Sequence, residues 1–432
     1  MEYKSVKGMS DIFLPEIRVW QFIENEARVF FQKRLYEEIR TPVVEYQELF
    51  TRSIGEASDI VNKEMYSFTD RGGRALTLRP EMTASVIRAV IENNLLTVRE
   101  PLKLFYIGPM FRAERPQAGR RRQFFQMGVE VIGNDLPFCD AEVIKDIALF
   151  LTRVGLKKEE FTVKLNNVGC ATCRPDFVKK LRSFFQKNKA AFCKDCLFRF
   201  EKNVLRIFDC KNDACKKVLK KAPKINENVC PRCRDHFNKV QEGLQVFDVP
   251  FTVDKDIVRG LDYYTSTVFE VTSTKLGAKD AIAAGGRYNN LMKDLGGAAK
   301  SAIGFALGME RLIMCLDASA EEPQSAILSE TVYVAYSDPK YIDACKQVCA
   351  RLERIGCASY TDLDGRSLKS QLKRANKFGL RWVLILNKNE VEKGYYTLKD
   401  FCYKGEDQCL INIETMENQV TYWLKQWFQG GD

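Results

Sequence analysis

The stretch from Phe111 to Gly133, FRAERPQAGRRRQFFQMGVEVIG, reads as strand, basic loop, strand, and it limits the fold more than any other part of the chain. Two strands joined this way pair antiparallel. Other short β-rich pieces recur around it: ALTLRP, KLFYIGPMFRAE, TVFEVTS and AIAAGGRY. Helical stretches such as MTASVIRAVIENN and DAEVIKDIALFLTRVG separate them. The order is not a regular alternation of strand and helix. It predicts an α+β fold with a large, mostly antiparallel sheet flanked by helices. Residues 16 to 38 carry apolar positions at helical spacing and read as a surface helix. IRTPVVEYQELF reads as extended, with Pro42 confining it to a strand start or edge.

Residues 319 to 330, SAEEPQSAILSE, are small and polar with a proline and predict a linker. Beyond them TVYVAY, CASYTDL and WVLILN read as strands, with helices around YIDACKQVCARLERIG and SLKSQLKRANKFG and a last amphipathic helix in ENQVTYWLKQWF. The division expected is one domain over 1–325 and a smaller α/β domain over 326–432.

No apolar run approaches the roughly 20 residues of a membrane span. The start, MEYKSVKGMSDIFLPE, has charges and a proline where a signal peptide would be apolar. A cytoplasmic protein is expected, with its 15 cysteines as thiols or metal ligands. The net charge of +10 is concentrated: Cys170 to Asp248 holds 19 Lys and Arg against 9 Asp and Glu, the same +10. A basic segment suggests an anionic partner, most simply nucleic acid.

That segment also holds eight cysteines in four pairs. Cys170 and Cys173, Cys193 and Cys196, and Cys230 and Cys233 are C-x2-C; Cys210 and Cys215 are C-x4-C. Such pairs are the usual knuckles of structural zinc sites, and eight thiolates suffice for two sites of four. Which pairs share a site is open, and His236 is a further candidate ligand. The segment reads as an inserted basic domain over about 168–250, with a small core of its own that a metal would reinforce. His236 is the one histidine in the chain, which excludes serine-hydrolase and most zinc-hydrolase mechanisms.

Four clusters carry chemistry. In the hairpin, Arg112 and Glu114 are in phase on the first strand, Gln126 and Glu130 on the second, and the loop adds Arg115, Arg120, Arg121 and Arg122, which suit phosphate. VRGLDYYTSTVFEV places an Arg-Gly pair before a strand, where only one of Tyr263 and Tyr264 should face a given pocket. AIAAGGRYNNL brings Gly285 and Gly286 beside Tyr288. AIGFALGMERL passes from strand to helix with Glu310 and Arg311 at the helix start.

In this order and these words, the blocks resemble class II aminoacyl-tRNA synthetases. The hairpin looks like motif 2, GFALGMERL like motif 3, and the region around Pro42 like motif 1, which builds the dimer interface. RGLDYY, AAGGRY and LTLRPEMT resemble the histidyl-tRNA synthetases in particular. Met82 and Asn289-Asn290 depart from the family pattern, at positions given no chemical role.

The resemblance implies histidine–tRNA ligase activity. Histidine's carboxylate attacks the α-phosphate of ATP, and the histidyl group then passes to the 3′ end of tRNA(His). It implies Arg112 and Arg259 as catalytic residues on the α-phosphate, and Arg112, Glu114, Phe124 and Arg311 as ATP-binding, with Mg2+ on the outer phosphates. The histidine pocket would comprise Glu81, Thr83, Gln126, Glu130, Arg259, Tyr264 and Tyr288, and Arg115 and Gln117 would touch tRNA. It implies a homodimer and makes the C-terminal domain an anticodon-binding one. In that domain Lys369, Lys373, Arg374 and Lys377 recur at helical spacing. The alternative is a catalytically silent relative, the regulatory subunit of ATP phosphoribosyltransferase, which lacks the C-terminal domain.

Overall fold

Trp20, Ile23, Ala27, Phe30 and Phe31 fall three and four residues apart, and this spacing buries them on one face of helix α1 (Glu16–Gln32). The helix stops short of residue 38 because Leu35 adopts left-handed backbone (φ 64°) and the chain turns into strand β1 (Glu37–Glu38). The computed structural model describes residues 3–55, 58–210, 212–257, 261–277, 281–316, 331–401 and 408–429, and divides into two compact units, Met1–Ala318 and Ser319–Asp432.

In the first unit, β2 (Val44–Tyr46) runs into helix α2 (Gln47–Ile54). QELF, expected to be extended, is therefore helical; Phe50 and Ile54, four apart, pack inward together. Strands β3 (Tyr66–Thr69) and β4 (Ala75–Leu78) join β2 in a small antiparallel sheet of order β2-β4-β3. Helix α3 (Thr83–Glu92) leads to β5 (Leu102–Phe111) and β6 (Gln123–Ile132), the expected hairpin, and then to α4 (Pro137–Arg153). After β7 (Thr162–Asn167) come helices α5 (Arg174–Lys187), α6 (Lys194–Lys202), α7 (Asp213–Leu219) and α8 (Pro231–Val246). The chain returns through β8 (Phe251–Val253), β9 (Thr265–Thr272), β10 (Ala281–Arg287), a short α9 (Leu291–Asp294), β11 (Ala302–Gly308) and α10 (Met309–Cys315).

The main sheet has eight strands in the order β1-β5-β6-β11-β10-β9-β7-β8. Its interior pairs are antiparallel, and the edge pairs β1–β5 and β7–β8 are parallel. One apolar core, including Phe31, Phe105, Phe150 and Phe305, packs α1 and α4 against the sheet. The helical insertion leaves at the end of β7 and comes back to lie alongside it in β8. It does not rest on a small core of its own: Phe177, Phe185, Phe200 and Ile207 share one buried cluster with Met82, Tyr264 and Tyr288.

The second unit holds five strands ordered β13-β12-β14-β15-β16. The three expected strands, β12 (Val332–Tyr336), β13 (Ser359–Thr361) and β14 (Trp382–Leu386), run parallel, with helices Ile342–Arg354 and Leu368–Lys377 between them in sequence. A hairpin of β15 (Tyr395–Asp400) and β16 (Gln408–Asn412), which the sequence reading overlooked, adds two antiparallel strands. No helix among the described residues is long and apolar enough to cross a membrane.

Candidate functional site

A cleft of about 330 Å³ opens along β6, β9, β10 and β11. Its floor depends on a missing side chain. Gly304 in β11 pairs with Glu130 in β6, and a Cβ at 304 would overlap the Glu130 carboxylate. The glycine therefore lets an acid stand in the floor. Glu130 is buried, and that burial drives its pKa up to about 8, against the opposing pull of hydrogen bonds from Tyr288 and Thr83. The Tyr288 hydroxyl donates to Glu130 Oε2. Tyr263 and Tyr264 close this end, with ring centroids 4.7 Å apart and Tyr263 5.6 Å from Tyr288.

Both tyrosines line the cleft, which corrects the expectation that only one could. Alternation holds within a strand, but β9 begins at Thr265, so the pair lies in the turn before it. Arg112 and Glu114 lie just beyond β5, which ends at Phe111, rather than on it, but both reach the cleft, on a common side as expected.

Glu81 sits at the start of α3, where its two carboxylate oxygens accept the backbone N–H groups of Thr83 (2.7 Å) and Ala84 (2.9 Å). Helix N-termini favour negative charge, but burial is the larger effect and raises the Glu81 pKa. Gln126 Oε1 is buried with no hydrogen-bond partner, and its residue lines the cleft beside Glu81 and Thr83. Buried polar atoms are nearly always paired, so an orphan here points to a ligand donor.

The other end of the cleft gathers charges of both signs, with Arg112, Arg120, Arg121 and Arg311 among Glu64, Glu114, Glu270 and Glu310. Arg112 Nε donates to the Pro80 carbonyl at 2.9 Å, and its guanidinium lies 5.2 Å from the Phe124 ring centroid. Arg311 donates to the carbonyls of Gly119 (3.2 Å) and Ala281 (2.6 Å). Arg120 pairs with Glu114 at 2.9 Å. Glu310 accepts the Phe125 N–H at 3.1 Å, and burial pushes its pKa up to about 7.

Of the expected ligand residues, Glu81, Thr83, Arg112, Glu114, Phe124, Gln126, Glu130, Tyr264, Tyr288 and Arg311 all meet in this cleft. Arg259 lies outside the described residues. Arg115 and Gln117 are not among the cleft residues. They are exposed at the hairpin tip, where Gln117 and Arg120 exchange backbone hydrogen bonds. The cleft also takes in Glu64 and Glu270, which the sequence reading missed. Glu270 had a signal, as the lone charge in an otherwise uncharged strand; Glu64 had none. The family departures are packed: Met82 Sδ accepts from Thr41 Oγ1 at 3.2 Å, and the Asn289 N–H donates to Thr265 Oγ1 at 3.2 Å.

The eight cysteines converge as two groups of four, Cys170, Cys173, Cys230 and Cys233, and Cys193, Cys196, Cys210 and Cys215, the sulfurs in each lying within 4.8 Å of one another. The closer Sγ–Sγ separations are 3.7 Å (170–173), 3.9 Å (170–230), 4.0 Å (173–233) and 3.8 Å (193–210). Disulfide sulfurs would stand about 2.05 Å apart. The edge of a tetrahedron with metal–sulfur bonds of about 2.3 Å is about 3.8 Å. His236 is no ligand: its Nε2 lies 2.8 Å from Asp140 Oδ2, and Asp140 is ion-paired with the buried Arg287.

A family model described as histidyl-tRNA synthetase matches residues 8–312, and one described as an anticodon binding domain matches 331–422. A histidine–tRNA ligase of Halothermothrix orenii is 46% identical over 97% of this chain and 100% of its own. One of Thermosipho melanesiensis is 42% identical over 98% and 100%. The apo crystal structure of S. aureus histidyl-tRNA synthetase superposes with a TM-score of 0.79 at 29% identity, covering 98% of this chain and 100% of that one.

Proposed function

The chain belongs to the histidyl-tRNA synthetase family, and we propose from that premise how its residues activate histidine with ATP and pass it to tRNA(His). The observation that carries the reading is the polarity of the cleft, with a buried acid ringed by tyrosines at one end and arginines interleaved with carboxylates at the other. A neutral imidazole offers one donor and one acceptor. Glu130 and the tyrosine hydroxyls of 264 and 288 complement both, so a hydrophobic analogue leaves them unpaired; such sites discriminate by roughly 10⁴ or more. Glu81, Thr83 and Gln126 hold the α-ammonium, which would satisfy the orphaned Gln126 oxygen.

Arg112 and Arg259 fix the α-phosphate, and Arg259 also orients histidine's carboxylate for in-line attack. Arg311 and Phe124 bracket adenine, and Glu114 assists ATP binding. The carboxylates of Glu114 and Glu270 suit Mg2+, which prefers oxygen ligands shared with substrate phosphates. Magnesium would neutralise the outer phosphates there. Arg115 and Gln117 meet the acceptor end of the tRNA, and Lys369, Lys373 and Lys377 its anticodon arm, a reading supported by the exposure of all five; Arg374 is instead held by Asp362 at 2.9 Å. In domain terms, 1–325 is the catalytic part with its insertion at 168–250, and 326–432 the anticodon-binding part. The two thiolate groups hold structural zinc. The cytoplasm, where tRNA is charged, is the site of action.

ATP–pyrophosphate exchange with each of the twenty amino acids tests the reading. Exchange should depend on histidine and need no tRNA; a different amino acid driving it best would sink the reading.

A further inference from the structure

The insertion reaches the histidine pocket from two sides. Arg174, directly after Cys173 at the start of α5, donates to the carbonyls of Val168 (3.3 Å) and Gly169 (3.4 Å) and to that of Tyr264. Asn203 and Arg206, between Cys196 and Cys210, meet one oxygen of Asp262: Asn203 Nδ2 at 2.9 Å and Arg206 Nη2 at 3.3 Å. Asp262 immediately precedes the two tyrosines of the cleft. Each clamp is thus built beside one group of four cysteines, and both grip the turn 261–264. The shared apolar cluster of insertion and pocket runs beneath that turn.

We propose that the insertion is a scaffold for amino-acid recognition, with Arg174 and Arg206 as positioning residues that set Tyr263 and Tyr264 against the substrate. This rests on the ligase reading above. Neither arginine lines the cleft, so each acts through the backbone or side chain of the turn. A hydrogen bond to a charged group contributes enough that its loss corresponds to about ten-fold or more in an equilibrium constant. The zinc groups hold the clamps in place, so metal removal should act on the same step.

The test measures KM for histidine and for ATP in pyrophosphate exchange, histidine affinity by calorimetry, and zinc content, on the full-length protein. Arg174→Ala and Arg206→Ala should each raise the histidine KM and dissociation constant about ten-fold, with the ATP KM within about two-fold and zinc unchanged. Asp262→Asn, a milder change that keeps an acceptor for Asn203, should give a smaller rise of the same selectivity and covers the case in which an arginine variant does not fold. Wild-type exchange is measured first: lack of histidine dependence there overturns the functional reading itself. With that intact, an unchanged histidine KM, or parallel rises for histidine and ATP, overturns the scaffold proposal alone.

Discussion

Glu130 carries a cost for the folded protein. Its folded pKa of about 8 lies above the roughly 4.3 of a free glutamate. Between those values the folded state keeps a proton that the unfolded chain has released. The contribution to stability is complete below the unfolded pKa and is lost as pH rises toward 8. Glu130→Gln removes the dependence. Without ligand, the variant should melt above the wild type, by a margin wider at pH 8 than at pH 6, and its histidine KM should rise at least about ten-fold. Thermal melts at the two pH values decide it: an equal margin at both would mean the acid is ionised throughout. The same residue shows how far sequence could see. Its place in the pocket was legible from strand phase, but the raised pKa was not, because burial depends on Gly304 from a strand some 170 residues away in sequence.

At the scale of elements, strands and helices with strong periodicity were readable, including the long hairpin and α4. The short β8 and the β15–β16 hairpin, which owe their place to the strands they pair with, were not, and β7 was passed over although Phe161, Val163 and Leu165 alternate with polar residues. Tyr263 and Tyr264 differ from expectation because strand alternation begins only at Thr265. For the cysteines, spacing showed paired ligands and only the fold could show which pairs meet. The pairing makes the zinc expectation specific. Elemental analysis of protein purified without chelator should find two zinc ions per chain, one for each group of four. Double Ser substitution at Cys193 and Cys215 should remove one ion and leave the other. Loss of both, or of neither, would contradict two independent sites. Because the clamps reach the turn 261–264, damage to the insertion should also reach histidine activation. The basic composition of the segment alone suggested effects on tRNA only.

Over the whole molecule, the small sheet β2-β4-β3 presents an apolar face. Tyr46 and Phe68 flank Leu76 in one row and are 57% and 45% exposed; Val44, in the next row, is 40% exposed. A contiguous exposed patch of this kind is a common mark of a subunit interface. It lies just after Pro42, in the region that resembles the family's dimer motif. Sedimentation at micromolar concentration should show twice the chain mass, and Tyr46→Glu with Phe68→Glu should shift it toward the monomer. A fully active monomeric wild type would exclude the homodimer.

The two cysteine groups are also nested, 193–215 lying wholly inside 170–233. Closing a loop becomes harder as it lengthens, and closing an inner loop first shortens the outer one. Assembly thus has a direction in time. As the chain emerges during synthesis, the inner knot can be tied once Cys215 is out, while the outer must wait for Cys233. The outer knot is also the one beside Arg174, at the neck that joins the insertion to the catalytic sheet. The last fastening to be made is therefore the one at that neck.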